Sequence, residues 1–466
     1  MPAYPSLPHA LDYADRWLAY RRWRLRIPGV QVAVRIDGEL VLERAHGVAD
    51  ASTGEALTPA HRFRIASHSK ALAAIATMRL VDDGRLRLDD EAQLHVTALR
   101  GTDAGALLLR ELLSHGGGAV RDGDDVAFWH LEDDFPDADR LLGIARAGVS
   151  RVPASTEFKY SNIGFGLLGL VIEAVTGRSY ADAIEALLVE PLGLGATSAD
   201  LGTGSGPLVA GHSALHSHEG RVVLGSPSTG ALAAATGAVA TAAELTDLLR
   251  TVADGDDRLL DAASRRRMRQ QLWTTTARDG GSAGYGLGMM LRTIDGRTWA
   301  GHGGAWTGQA TRTLVDAERD VVVTVLTNAI DAPAEELAVG IARIVGTALD
   351  ASSTDVRDLD LARSFEGAYA SIWGRVDVVE LGGRLLAIAP TAPDPLQAVD
   401  VLTPEGDDRV RIAAATGMGS GHEHAIAERD DDGRVVRWRG AWRMDAVAPV
   451  PADATAEGGA SAARPA

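Results

Sequence analysis

The sequence predicts an α+β protein: an antiparallel sheet flanked by helices with an inserted helical region, followed by a small C-terminal antiparallel β-barrel. Three observations predict it. Near the N-terminus, Gly29 to Val34 and Leu40 to Arg44 read as strands joined by an Asp37-Gly38 turn, a strong hairpin signal. Comparable strand runs return only at Tyr285 to Arg292, Gln309 to Val315 and Val321 to Thr327, so the sheet draws on both ends of a long segment. Beyond residue 360 the pattern changes to short alternating runs separated by Gly-rich turns.

Each element has its own signal. Leu11, Trp17, Leu18, Trp23 and Leu25 mark an amphipathic first helix, and the basic run from Arg21 to Arg26 is expected to be its solvated face. Leu72, Ile75, Ala76 and Leu80 mark a helix that follows Ser67 and stops near Gly84. Helical spacing recurs at Leu107 to Leu113, Leu167 to Val175, Tyr180 to Leu188 and Ala242 to Val252, between long Gly-rich loops. Pro333 to Leu349 closes the unit as a helix. The expected boundaries are a main α+β domain over 1–349, a polar linker over 350–360, a barrel over 361–447 and a disordered tail over 448–466. The barrel strands are read at Val376 to Leu381, Arg384 to Ile388, Val410 to Ala413, His424 to Glu428 and Val435 to Arg439.

Composition excludes several functions. A net charge of −17 over 466 residues argues against nucleic acid, which needs a concentrated basic surface. The absence of cysteine removes disulfides, thiolate metal sites and a Cys nucleophile. The first residues carry no charged leader ahead of an apolar core, and no apolar run approaches membrane-spanning length, so a cytoplasmic location is expected. Just two of the 46 Lys and Arg residues are lysines, Lys70 and Lys159. Arginine does not surrender its proton in a protein and a buried lysine can, so a lysine kept in such a chain invites a chemical explanation.

Three short motifs carry that chemistry. In Ser67-His68-Ser69-Lys70, residues three apart share a helix face, so the Lys70 amine can take the proton of the Ser67 hydroxyl. The helix start also offers backbone N–H groups to an oxyanion. In Tyr160-Ser161-Asn162, a phenol near an ammonium is a second proton carrier, and the Asn162 amide can orient Lys70 and a substrate carbonyl. In His302-Gly303-Gly304-Ala305, glycines ahead of a strand admit a substrate backbone and the Ala305 N–H can complete an oxyanion hole. His302 can bind a substrate carboxylate or assist the leaving group. Taken singly, each motif also fits an ordinary turn or helix start.

In order and spacing the three together resemble the serine β-lactamase and penicillin-binding-protein superfamily, with its Ser-x-x-Lys, Ser/Tyr-x-Asn and Lys/His-x-Gly elements. The Tyr and His-Gly-Gly versions look most like the branch of class C β-lactamases, family VIII carboxylesterases, D,D-peptidases and D-aminopeptidases. Pro28 to Val34, Gly84 to Asp90, Leu112 to His115, Pro191 to Gly193 and Gly284 to Gly288 match as well, so the likeness runs from about Leu11 to Leu349. It implies acyl transfer through an acyl-enzyme on Ser67, without metal or cofactor, on a small ester or a peptide with a D-residue at the cleavage point. It also implies a lipocalin-like C-terminal barrel. Gly116-Gly117-Gly118 replaces the usual Thr-Ser-Gly, so that loop is expected to differ in shape. His302 stands where β-lactamases carry Lys, which points away from β-lactams as main substrates.

Rival readings of the sequence have weaker support. Gly280-Gly281-Ser282-Ala283-Gly284 fits G-x-S-x-G, but a polar loop precedes it and a strand follows, the wrong context for a nucleophile elbow. His212, His216, His218, His422 and His424 lack the carboxylate or Cys partners of a zinc site and are expected to be surface loop residues. A transferase, such as a carrier-linked peptide-releasing thioesterase, would pass the same acyl group to an amine. An antibiotic sensor would be acylated once and then signal, but it needs a membrane or partner module that the sequence does not display. Oligomeric state is left open.

Overall fold

A computed structural model describes residues 4, 6–202, 204–217, 220–276, 280–351, 358–416 and 419–451. In the unit Pro28–Glu335, the strands β1 (Gly29–Ile36), β2 (Glu39–Asp50), β3 (Glu55–Ala56), β4 (Trp273–Thr276), β5 (Ser282–Tyr285), β6 (Met290–Ile294), β7 (Arg297–Trp306), β8 (Gln309–Asp316) and β9 (Val321–Thr327) form one sheet. Their order is β3-β2-β1-β9-β8-β7-β6-β5-β4. β1 pairs with β2 on one side and with β9 on the other, antiparallel both times, so both ends of the unit meet in the sheet as expected. Asp37 and Gly38 both take positive φ, 50° and 82°, the backbone that a tight two-residue hairpin demands.

Two helices position the site. α2 (Ser69–Asp82) is an Ala-rich run buried over most of its length, and it gives way to Gly84 at φ 71°. α3 (Asn162–Thr176) starts five residues before the apolar run that marked it, because the Ser161 hydroxyl caps it by accepting the Gly164 N–H at 2.8 Å. That start puts Asn162 on the first turn. α4 (Ala242–Arg250) packs against β1 and β9.

Some expectations are corrected. The run Tyr285 to Arg292 is two strands, β5 and β6, separated by Gly286 and Gly288; a side chain on Gly286 would overlap the Met268 carbonyl, and Gly288 has φ 68°. His302 lies inside a strand, not ahead of one. His212 is fully buried, with Nδ1 2.7 Å from the Asn328 carbonyl and Nε2 accepting the Ala51 N–H at 3.1 Å, so it pins two segments together and is no surface residue.

The second unit joins Met1–Ile27 to Glu336–Ala466. Here β10 (Gly367–Ser371), β11 (Gly374–Leu381), β12 (Arg384–Ile388), β13 (Val399–Pro404), β14 (Arg409–Ala414), β15 (His424–Arg429), β16 (Val435–Gly440) and β17 (Met444–Ala446) close into an antiparallel barrel. Phe365, Tyr369 and Trp438 fill its core, with ring centroids 5.7–5.8 Å apart. The helices α1 (Leu7–Arg24) and most of α5 (Ala334–Leu349) belong to this unit. Ser6 donates to the buried Glu380 at 3.2 Å, and a side chain on Gly340 would overlap the Trp17 indole. Arg21 and Arg22 are accordingly buried instead of solvated: Arg21 donates to the Thr391 carbonyl and pairs with Glu336 at 3.6 Å. The expected linker and tail lie largely outside the described residues. Among the described residues no helix is long and apolar enough to cross a membrane.

Candidate active site

Ser67 sits in a tight 3₁₀ turn, Ala66–His68, between a short strand at Phe63–Arg64 and α2. Ala66 has φ 49°, a left-handed conformation that a residue with a side chain adopts at a cost, and it throws the next residue outward. Ser67 is half-buried between neighbours that are fully buried. The turn is pinned from below: Ser69 Oγ donates to the Ala66 carbonyl at 2.7 Å and accepts the Ala238 N–H at 2.8 Å. His68 spans the Ile65 carbonyl and the Thr313 hydroxyl, 3.0 Å each, and burial pushes its pKa down to about 3. His68 is therefore a neutral tie between turn and sheet.

Lys70 is fully buried in the first turn of α2, three residues after Ser67. Its amine donates to Asn162 Oδ1 and to the Ala235 carbonyl, both at 2.7 Å, and lies 3.3 Å from Ser67 Oγ. Burial lowers its pKa well below the usual lysine value, with the Asp122 carboxylate opposing and the Arg121 guanidinium reinforcing that shift. A neutral amine has two N–H donors and one lone pair. In that neutral form, with both donors committed to Asn162 and the Ala235 carbonyl, the lone pair would face Ser67.

Tyr160 completes the trio, its hydroxyl donating to Ser67 Oγ at 2.9 Å. Burial raises the phenol's pKa, and the hydrogen bond to Ser67 only partly offsets this. Tyr160 thus starts as a neutral phenol. Its ring lies 4.2 Å from that of His115, whose Nδ1 accepts the Ser161 N–H at 3.1 Å. Tyr160→Phe is expected to cut turnover by about a hundred-fold or more with the melting temperature near wild type, because a hydroxyl that carries a proton is lost and the packed ring stays. Normal activity per folded molecule with a large loss of stability would make the tyrosine structural.

The third motif lies on β7. β6 pairs with β7 only as far as Gly301, so the same edge of Gly303, Gly304 and Ala305 is not covered by β6. A side chain on Gly304 would overlap the Ile65 carbonyl and stand 3.0 Å from Ala66 Cβ, so glycine is what lets β7 lie against the Ser67 turn. Gly304→Ala should push strand and turn apart and lower turnover by about a hundred-fold, the cost of displacing reacting groups by about 1 Å. An unaltered rate would separate β7 from the chemistry. Ala305 is exposed at the end of this edge. His302 is only 1% exposed, with Nε2 3.2 Å from the Tyr285 hydroxyl and Nδ1 2.6 Å from the Gly303 carbonyl. Burial holds its pKa well below the ordinary value, so it is neutral and braces the strand.

Beyond Ala305 opens a cavity of about 290 Å³ lined mainly by Trp129, Ala214, Leu224, Ala305, Trp306 and Ile330. Phe135 stacks on Trp306 at 5.2 Å and stiffens that wall. Ser67, Lys70, Tyr160 and Asn162 are thus brought together by direct contacts, with Gly304 against the Ser67 turn. Sequence reasoning missed Asp122, which accepts the Asn162 Nδ2–H at 2.5 Å, and the Ala235 carbonyl. Neither has a motif; the Gly116-Gly117-Gly118 departure was the one hint that the loop before Asp122 was unusual. Among the described residues no group of three or more His, Cys, Asp or Glu side chains could hold a metal ion; His218 lies outside them.

The Beta-lactamase family model matches residues 14–345. Penicillin-binding protein 4 of Amycolatopsis lactamdurans is 31% identical over 341 residues, 65% of this chain and 81% of that protein. Esterase EstB of Burkholderia gladioli is 31% identical over 183 residues, 36% of this chain and 46% of the esterase, so that likeness spans about half the relative's length. Among solved structures, SurE is similar with a TM-score of 0.61 and 25% identity, covering 94% of this chain and 99% of SurE, and it has also been solved with D-Leu.

Proposed function

The chain belongs to the beta-lactamase family, and from that premise we propose that it is a serine hydrolase working through an acyl-enzyme on Ser67. The observation that carries the reading is the pair of contacts on Ser67 Oγ, with Lys70 Nζ at 3.3 Å and the Tyr160 hydroxyl at 2.9 Å. Neutral Lys70 takes the Ser67 proton as Oγ bonds to the substrate carbonyl carbon. The carbonyl π pair moves onto oxygen, where the Ser67 and Ala305 N–H groups receive it. The intermediate collapses, Tyr160 protonates the departing atom, and Lys70 returns its proton to Tyr160. Water then attacks the ester, gives a proton to the same pair and releases the acid, and Ser67 regains its hydrogen. Asn162 keeps Lys70 in place, and His302 braces β7 as a neutral ring.

The cavity beside Ala305, walled by Trp129, Leu224 and Ile330, supports a substrate with an apolar acyl side chain. A small ester, or an amide with a D-residue at the cleavage point, fits this reading; the likeness to EstB favours the ester and SurE's structure with D-Leu favours the D-residue. The test is a fluorophosphonate reaction followed by intact mass, with the adduct located by peptide mapping, then a panel of esters, D-peptides and thioesters with and without an amine acceptor. An adduct elsewhere than Ser67, or none, overturns the reading. Acyl transfer to the amine in preference to water would make the enzyme a transferase. A single stable acylation by a β-lactam without turnover of any substrate would make it a sensor.

A further inference from the structure

The loop that carries Asp122 is built onto the start of α3. The Val120 carbonyl accepts the Ser161 hydroxyl at 2.6 Å, and the Arg121 carbonyl accepts the Asn162 N–H at 2.8 Å. Upstream, Gly118 has φ 65°, and a side chain there would overlap the Val152 carbonyl. The loop therefore follows a path that glycine permits, and it ends with Asp122 buried. One Asp122 oxygen accepts from Asn162 Nδ2 at 2.5 Å and the other faces Arg121 Nε at 3.2 Å.

The chemistry of this chain of contacts is directional. An amide has one accepting end and one donating end, whereas a carboxylate only accepts. With Asp122 against its nitrogen, Asn162 must turn its oxygen to Lys70, 2.7 Å away. We propose that Asp122 is the positioning residue of the proton relay, fixing the Asn162 amide toward Lys70 and supplying the counter-charge for the ammonium formed as Lys70 takes the Ser67 proton. In that step the Ser67 O–H bond breaks, an N–H bond forms on Lys70, and the oxygen's electron pair goes to the acyl carbon. The other groups facing Lys70 do not supply a negative charge: Tyr160 is a neutral phenol, Phe165 presents a ring face, His115 and His302 are buried and neutral, and Arg121 is a cation.

The inference rests on the Ser67 acyl-enzyme reading, so its test keeps the two apart. Full-length wild type, Asp122→Asn and Asp122→Glu are reacted with a fluorophosphonate across pH, with kcat and KM measured on a small activated ester. Asp122→Asn is expected to slow phosphonylation and kcat by about ten- to a hundred-fold with KM near wild type, because the amide is free to turn. Loss of the carboxylate removes a charge that raises the Lys70 pKa. The acidic limb of the rate profile should therefore move to lower pH, by about one unit or more. Asp122→Glu, which keeps the charge, should hold that limb near wild type. No adduct on wild-type Ser67 sinks the hydrolase reading and this inference with it. Wild-type labelling with an indifferent Asp122→Asn overturns this inference alone, as does a slowed, less stable variant whose acidic limb has not moved.

Discussion

Ser67→Ala is expected to lower turnover of an activated ester by a factor of about 10,000 or more while the protein keeps its fold. Only Oγ is removed, from a half-buried position at a strained turn. What the fold loses is one acceptor for the Tyr160 hydroxyl, since Lys70 keeps Asn162 and the Ala235 carbonyl and Ser69 still pins the turn. Ser69 is no substitute nucleophile: its hydroxyl is buried, donates to the Ala66 carbonyl and accepts the Ala238 N–H. The fluorophosphonate adduct should vanish, and the melting temperature should stay level or rise, as it does when a functional site's strain serves nothing. Turnover above roughly a hundredth of wild type in the variant would remove Ser67 from the mechanism.

How much of this was legible in the sequence differs by element. The Asp37-Gly38 hairpin was readable because its turn needs two positive φ angles and its residues supply them. The Ser67–Lys70 pairing was readable because helix spacing alone brings the two groups onto one face. β7 was half-legible: glycines at 301, 303 and 304 blank out the alternation that marks a strand, so His302 read as part of a turn. The barrel gave up five of its eight strands; β10 alternates weakly, β13 ends in a proline, and β17 has only three residues. Asp122 could not be found at all. Its role depends on a glycine-shaped loop meeting a helix start 40 residues later, and single-sequence patterns carry no such distance.

Lys70→Arg should be nearly as damaging as Lys70→Ala, both losing about a hundred- to ten-thousand-fold in turnover. The reason lies in what the position asks for. The amine is buried, two of its hydrogen-bonding directions are taken by acceptors, and the third must be a lone pair facing Ser67. A guanidinium donates in every direction and does not give up its proton, so it can satisfy Asn162 and Ala235 and still cannot accept from serine. It is also larger, in a site packed by Tyr160 and Phe165, and overpacking costs roughly 1–3 kcal/mol. A melting curve therefore accompanies the assay, and Lys70→Ala provides the smaller companion. Adding a small primary amine to Lys70→Ala should restore part of the rate, with the acidic limb now following the added amine's own pKa. Rescue of that kind identifies a base, because a merely structural lysine would leave the limb where it was. If Lys70→Arg instead keeps most of the activity, the lysine is a fixed charge, and the base that takes the Ser67 proton is another group.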